Sequence, residues 1–361
     1  MEDPRVSNLA RILVRYSIGA RRGQTVSVDA TPQAEPLVVA VYRELIRVGA
    51  FPVVRMSPAA ATEIFFRWGK RHHFTTVTPY HRAMVRTIDA SIRISASPNT
   101  RALSSVDPRR QALFARTHRR LRDQVLRKPW VLTLYPTEAY AQDAEMSLSE
   151  FEDFVYQATF ADQERPIAAW KALARRQERM IAALHGARHV RIVADDTDLS
   201  MSIAGRRFIN SAGTHNMPSG EIFTGPVEDS VEGHILYDFP VCHAGREISG
   251  IRLVFRKGRV VEATAEKNQH FLTAMLDSDP GARRVGELGI GTNMRIQRFT
   301  RNILFDEKIG GTVHLALGNS YPETGGRNRS AVHWDMIKDL RRGGALYVDG
   351  RAIIKDGKFR L

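Results

Sequence analysis

Two kinds of hydrophobic pattern alternate over the first sixty residues, and that alternation restricts the fold the chain can take. VSNLARILVRYS (6–17) repeats apolar residues at helical spacing, whereas QTVSVDA (24–30) is short and β-branched. EPLVVAVYRELIRVG (35–49) is helical again and closes on Gly49, and FPVVRMS (51–57) is a second short apolar run. Helices between strands place neighbouring strands parallel, so this stretch predicts an α/β layer. ASIRISAS (90–97) and PWVLTLYP (129–136) read as two further strands. A helix is expected after Pro108. SLSEFEDFVYQATF (147–160) reads as a helix capped by Ser147 or Ser149, and IAAWKALARRQERMIAALHG (167–186) as one ending at Gly186.

After Gly186 the pattern changes to alternating or β-branched runs divided by glycine turns: 187–210, 247–265 and GTVHLALG (311–318). At 361 residues one hydrophobic core is too few. The expected fold class is therefore α/β with two domains. The first, 1–186, is an α/β domain with a mostly parallel sheet; the second, 187–361, is a β-rich α+β domain. Neither an internal repeat nor a low-complexity stretch is present.

The formal charge of +14 would favour nucleic acid or an anionic surface. Much of the excess is local, because residues 101–128 hold nine Lys or Arg against two Asp. On a helix, Leu113, Phe114, Leu121, Val125 and Leu126 form its apolar stripe and most arginines stay solvated. No zinc-finger spacing or aromatic RNA-binding signature accompanies the charge, so nucleic acid is disfavoured as a partner. Cys242 is the one cysteine, which excludes an internal disulfide and a cysteine-based metal site and fits a reducing compartment. No apolar run approaches the roughly 20 residues a membrane helix needs. A cytoplasmic protein without membrane attachment is expected.

Residues suited to chemistry gather in four segments: HNMPSGEIFTGP (215–226), GELGIGTN (286–293), DEKIGGTVHLALGNSYPETGG (306–326) and SAVHWDMI (330–337). Each sets carboxylate, imidazole or phenol beside Gly, Pro or Asn, which make fixed turns and allow close backbone approach. Taken singly, each has a plain structural reading. Glu221 is a turn glutamate at a strand start, His314 a core histidine, Tyr321 a packed aromatic, and Asp335 an orienter of His333. His333 and Asp335 share a face if their segment is extended, which turns Trp334 the other way. Together, two glutamates, an aspartate and two histidines suit a pair of divalent cations, since carboxylates bridge and neutral imidazoles complete the shell. Two such ions about 3.5–4 Å apart support hydrolysis. HExxH, GxSxG and GxxxxGK[ST] are all missing, so the chemistry lacks the usual single-zinc, serine or P-loop signatures. His215, His234 and the triplet Asp306, Glu307, Lys308 are weaker candidates, with Glu307 or Lys308 as a partner that orients ligands or recognises a terminus.

The series GTHNMPSGEIFTGPVE, GARRVGELGIGTN and ILFDEKIGGTVHLALGNSYPETGGRNRSAVHWDMI resembles the thermophilic aminopeptidase T family, the M29 class of cocatalytic metalloaminopeptidases. The first half resembles it too, through LARILVRYSIGARRGQTVSV, EPLVVAVYRELIRVGAFPVV and TLYPTEAYAQDAEMSLSEFEDF. The resemblance implies that Glu221, Glu287, His314, His333 and Asp335 are metal ligands and that Tyr321 is an active-site tyrosine. It implies two divalent ions per chain, zinc or cobalt before manganese or magnesium; because a carboxylate has two oxygens to share, Glu287 or Asp335 is expected between them. It also implies peptide substrates cleaved at the amino-terminal bond, and a homodimer. Two other readings use the same residues: an inactive scaffold that binds peptide or nucleic acid, and a metallohydrolase of another amide.

Overall fold

The N-terminal alternation predicts a parallel sheet, and one forms. The computed structural model describes residues 3–243 and 246–360. Strands β1 (Thr25–Ala30), β2 (Phe51–Met56), β3 (Ala90–Ser95) and β4 (Trp130–Leu134) all pair in parallel, in the order β2-β1-β3-β4. A two-residue strand, Asn216–Met217, adds beside β4. Val26, Ser27 and Val28 are buried in succession, as expected of a strand covered on both faces.

The helices follow their caps. Glu35–Arg47 ends before Gly49, whose φ of 77° is the left-handed conformation that stops a helix. Ser147 caps Leu148–Ala158 with a reciprocal bond, the Glu150 carboxylate accepting from the Ser147 N–H at 2.9 Å. The helix expected over 6–17 is α-helical from Pro4 to Arg11 and widens to a π-helix over Ile12–Ser17. Pro108–Leu126 is helical with its apolar stripe only half-buried.

The chain divides into two compact units. One comprises Met1–Trp170, Gly213–Pro218 and Ala244–Arg246; the other comprises Lys171–Ala212, Ser219–His243 and Glu247–Leu361. The second unit is built from two antiparallel sheets. One has eight strands, among them His189–Ala194, Thr197–Ser202, Arg252–Arg256 and Arg259–Thr264. The other has five: Ile209–Ser211, β5 (Glu221–Thr224), β6 (Val285–Gly291), β7 (Thr312–Gly318) and β8 (His333–Asp339). Ile192, Leu199 and Phe255 from the first sheet share one core with Leu288, Leu315, Leu317, Trp334 and Met336 from the second. Alternation therefore sends every other residue of β6, β7 and β8 away from that core, to the face that carries the site.

Candidate metal centre

Register assembles the site from residues that are distant in sequence. Glu287 on β6 stands opposite Ala316 on β7, which stands opposite Asp335 on β8. One step along, Gly289 faces His314. Glu221, at the start of β5, faces Gly291 across the next pair, and His333 faces Gly318. Glu221, Glu287, His314, His333 and Asp335 thus share one face of one sheet, separated by Gly and Ala that leave room for their side chains. Trp334, between two of them, is 3% exposed and points into the core, as the alternation predicts.

Two local features make this register possible. A bulge between Val285 and Glu287 sets Val285 opposite Leu317. The extra residue, Gly286, lets Val285 enter the core while Glu287, two positions on, joins the other face. At Gly289, an added Cβ would lie 2.0 Å from His314 Cε1 and 2.1 Å from Nε2. The imidazole lies across the glycine, so this position admits no side chain while the ring stays there.

The donor atoms converge. His314 Nε2 lies 3.3 Å from Glu221 Oε2 and 3.6 Å from Glu287 Oε1. His333 Nε2 lies 3.1 Å from Glu287 Oε2 and 3.6 Å from Asp335 Oδ1. Glu287 therefore turns a different oxygen towards each imidazole. His333 Nδ1 is 2.9 Å from the Asn319 carbonyl, so Nδ1–H donates there and fixes the ring with Nε2 turned towards Glu287 and Asp335. The Tyr321 ring packs on His333 at 5.0 Å and on Phe223 at 5.3 Å.

Several of these atoms are buried yet make no hydrogen bond: both ring nitrogens of His314, Glu221 Oε2 and Asp335 Oδ1. Leaving one buried polar atom unsatisfied costs about 1–3 kcal/mol, so a cluster of them around one space needs a compensating partner. A cation supplies it. Among the described residues two groups of donors have geometry for one: Glu287, His314 and Asp335, and Glu221, Glu307 and His314, each with its ligand atoms within 4.8 Å of one another. Glu307, expected to orient ligands, lies within reach of the second group. Lys308, fully buried, contacts Glu307 and reaches Glu221 Oε1 at 3.4 Å.

The protonation of these groups follows the same geometry. Burial works to raise the Glu287 carboxyl, but His314 and His333 outweigh it and hold it down at about 2. Burial works to lower His333, and Asp335 with Glu287 pushes it up to about 10. His314 is raised for the same reason: burial opposes its charge, and Glu287, Glu221 and Asp335 prevail. Burial, then the neighbouring carboxylates, lifts the Tyr321 hydroxyl far above the ordinary phenol range, so it stays a proton donor.

The weaker candidates fall elsewhere. His215 belongs to the first unit, its ring 4.9 Å from that of Trp130. His234 lies on the eight-stranded sheet, 3.4 Å from Asp196. Asp306 is buried and accepts from both the N–H and the hydroxyl of Thr300 at 2.8 Å. Sequence reasoning missed Gly289 and Asn319. The alternation in GELGIG contains a signal for the glycine, but Asn319 acts through a backbone carbonyl that every residue has.

Carboxylates and imidazoles gathered on one face of an antiparallel sheet define a candidate metal centre. The profile of the peptidase family M29, thermophilic metalloprotease, matches residues 2–359, and the chain belongs to that family. Aminopeptidase 2 of Geobacillus stearothermophilus is 29% identical over 401 residues, covering 99% of this chain and 95% of its own. Aminopeptidase T of Thermus thermophilus is 26% identical, covering 96% and 95%. Among solved structures, wild-type AmpT from Thermus thermophilus superposes with a TM-score of 0.86 at 23% identity, over 99% of both chains. A 2,5-dihydroxypyridine dioxygenase from Pseudomonas putida KT2440 shares the fold at a TM-score of 0.58 and 15% identity, covering 98% and 96%. Architecture alone therefore does not select the reaction.

Proposed function

We propose that this protein is a metal-dependent aminopeptidase that removes amino-terminal residues from peptides, with two divalent cations per chain. The position of Glu287 carries the reading: its two oxygens face two different imidazoles, as a carboxylate bridging two ions requires. Glu221, Glu307 and His314 suit one cation, and His333 with Asp335 suits the other. Mixed carboxylate and imidazole donors favour zinc or cobalt, with manganese or magnesium also within reach. Bound there, such ions would lower the pKa of water and polarise a scissile carbonyl.

The chain's own groups supply the rest. Asn319 fixes the His333 ring, Gly289 makes space for that of His314, and Lys308 offsets part of the negative charge around Glu221 and Glu307. Tyr321, protonated and 38% exposed at the rim, is placed to donate to the oxyanion that develops during attack. The named relatives are aminopeptidases, which supports peptide substrates over another amide. An inactive scaffold would be expected to have lost a donor, and every position here retains one. The reading extends to a cytoplasmic homodimer, in keeping with the lone Cys242; among the described residues no helix is long and apolar enough to cross a membrane.

Cleavage of aminoacyl 4-nitroanilides with and without a chelator tests the activity. Hydrolysis that is abolished by chelator and restored by Zn²⁺ or Co²⁺ is expected. Salt-sensitive binding to DNA or RNA at physiological ionic strength with no hydrolysis would favour the binding scaffold instead.

A further inference from the structure

β8 is the outermost strand of its sheet, and a cavity of about 100 Å³ lies along it at His333, Trp334 and Asp335. Its other walls combine apolar side chains with two charged ones: the rings of Phe239 and Phe299 are stacked at 4.7 Å beside Val241, Cys242 and Ile303. Arg301 and Asp306 also border it, but each is already engaged. Arg301 pairs with Glu247 at 3.2 Å, and Asp306 accepts two bonds from Thr300. A charged side chain entering the cavity would lose its hydration and find these charges already in use. An apolar one would bury its surface against two phenyl rings.

We propose that this cavity receives the side chain of the substrate's amino-terminal residue and selects a medium-sized aliphatic one. The inference rests on the aminopeptidase reading, because two of the cavity's lining residues are candidate metal ligands. Size argues for one side chain: an apolar cavity of about 150 Å³ takes benzene, so one of 100 Å³ suits leucine or methionine better than phenylalanine or tryptophan. Position argues for the terminal residue, which has no preceding chain to accommodate and can end in a small recess. A residue beyond the scissile bond would instead need an exit for the chain that follows. Phe239, Phe299 and Cys242 are the specificity-determining residues.

The test is kcat/KM for alanyl, leucyl, phenylalanyl and glutamyl 4-nitroanilides, which have no residue beyond the scissile bond. The wild type should prefer leucyl to phenylalanyl and glutamyl substrates. Cys242→Leu fills the recess and should lower the leucyl-to-alanyl ratio by about ten-fold, the effect of one or two methylenes in an apolar pocket. Phe299→Ala enlarges it and should raise the phenylalanyl-to-leucyl ratio by a similar factor. Metal content of each variant, measured alongside, should stay at the wild-type level. An active wild type whose ratios move in neither variant would overturn the pocket while leaving the aminopeptidase standing. A wild type that cleaves none of the four with metal supplied would overturn both.

Discussion

Gly289 has no side chain, and the imidazole of His314 occupies the space where one would stand. The setting of this ring differs from that of an ordinary core histidine. A packed core histidine satisfies at least one ring nitrogen, whereas His314 is 1% exposed with neither nitrogen hydrogen-bonded. Gly289→Ala should therefore displace the ring. We expect a loss of about 1–3 kcal/mol in chemical denaturation from overpacking, together with loss of bound metal. Wild-type metal content and stability in this variant would show that the ring can move without consequence. At this scale the sequence was legible in part. Glu221, Glu287, His314, His333 and Asp335 have suitable chemistry, but each alone has an ordinary structural explanation, and no spacing rule links Glu221 to Asp335. The closeness of Glu307 to Glu221 and His314 was also hidden, because a charged triplet reads equally well as a solvated turn.

Secondary elements were more readable than the site, because each carries its own periodicity. The alternation over 6–57 predicts helix and strand in the order found, and HWDM predicts Trp334 facing away from its neighbours, which its burial in the core matches. Long-range register was not readable. The bulge at Gly286 shifts Glu287 onto the site face relative to Val285, and nothing in GARRVGELG marks where the partner strand will absorb an extra residue. Three short helices, Ala59–Trp68, Arg71–Thr75 and Pro79–Thr87, also went unanticipated. The first buries none of its residues and so presents no clear apolar stripe. The return of Asn216–Met217 to the parallel sheet escaped for another reason: a two-residue strand is too short to have a period.

At the scale of the whole molecule, the charge of +14 opposes self-association unless the contact is apolar. Val39, Tyr42 and Ile46 on the helix Glu35–Arg47, with Phe51 and Val53 on β2, are exposed and offer such a surface. Sedimentation should give twice the chain mass of 40.6 kDa, and Ile46→Asp should shift it towards a single chain. A wild type sedimenting as one chain would remove the dimer from the account. The central claim concerns Glu287, which faces both imidazoles and so should be needed to hold two ions together. The most direct measurement is metal content per chain in the wild type and in Glu287→Gln, both loaded with Zn²⁺ or Co²⁺ and freed of excess. Two equivalents in the wild type, with fewer in the variant and turnover lost with them, is the expected result. A Glu287→Gln protein that keeps two equivalents and full activity on an aminoacyl anilide would contradict it.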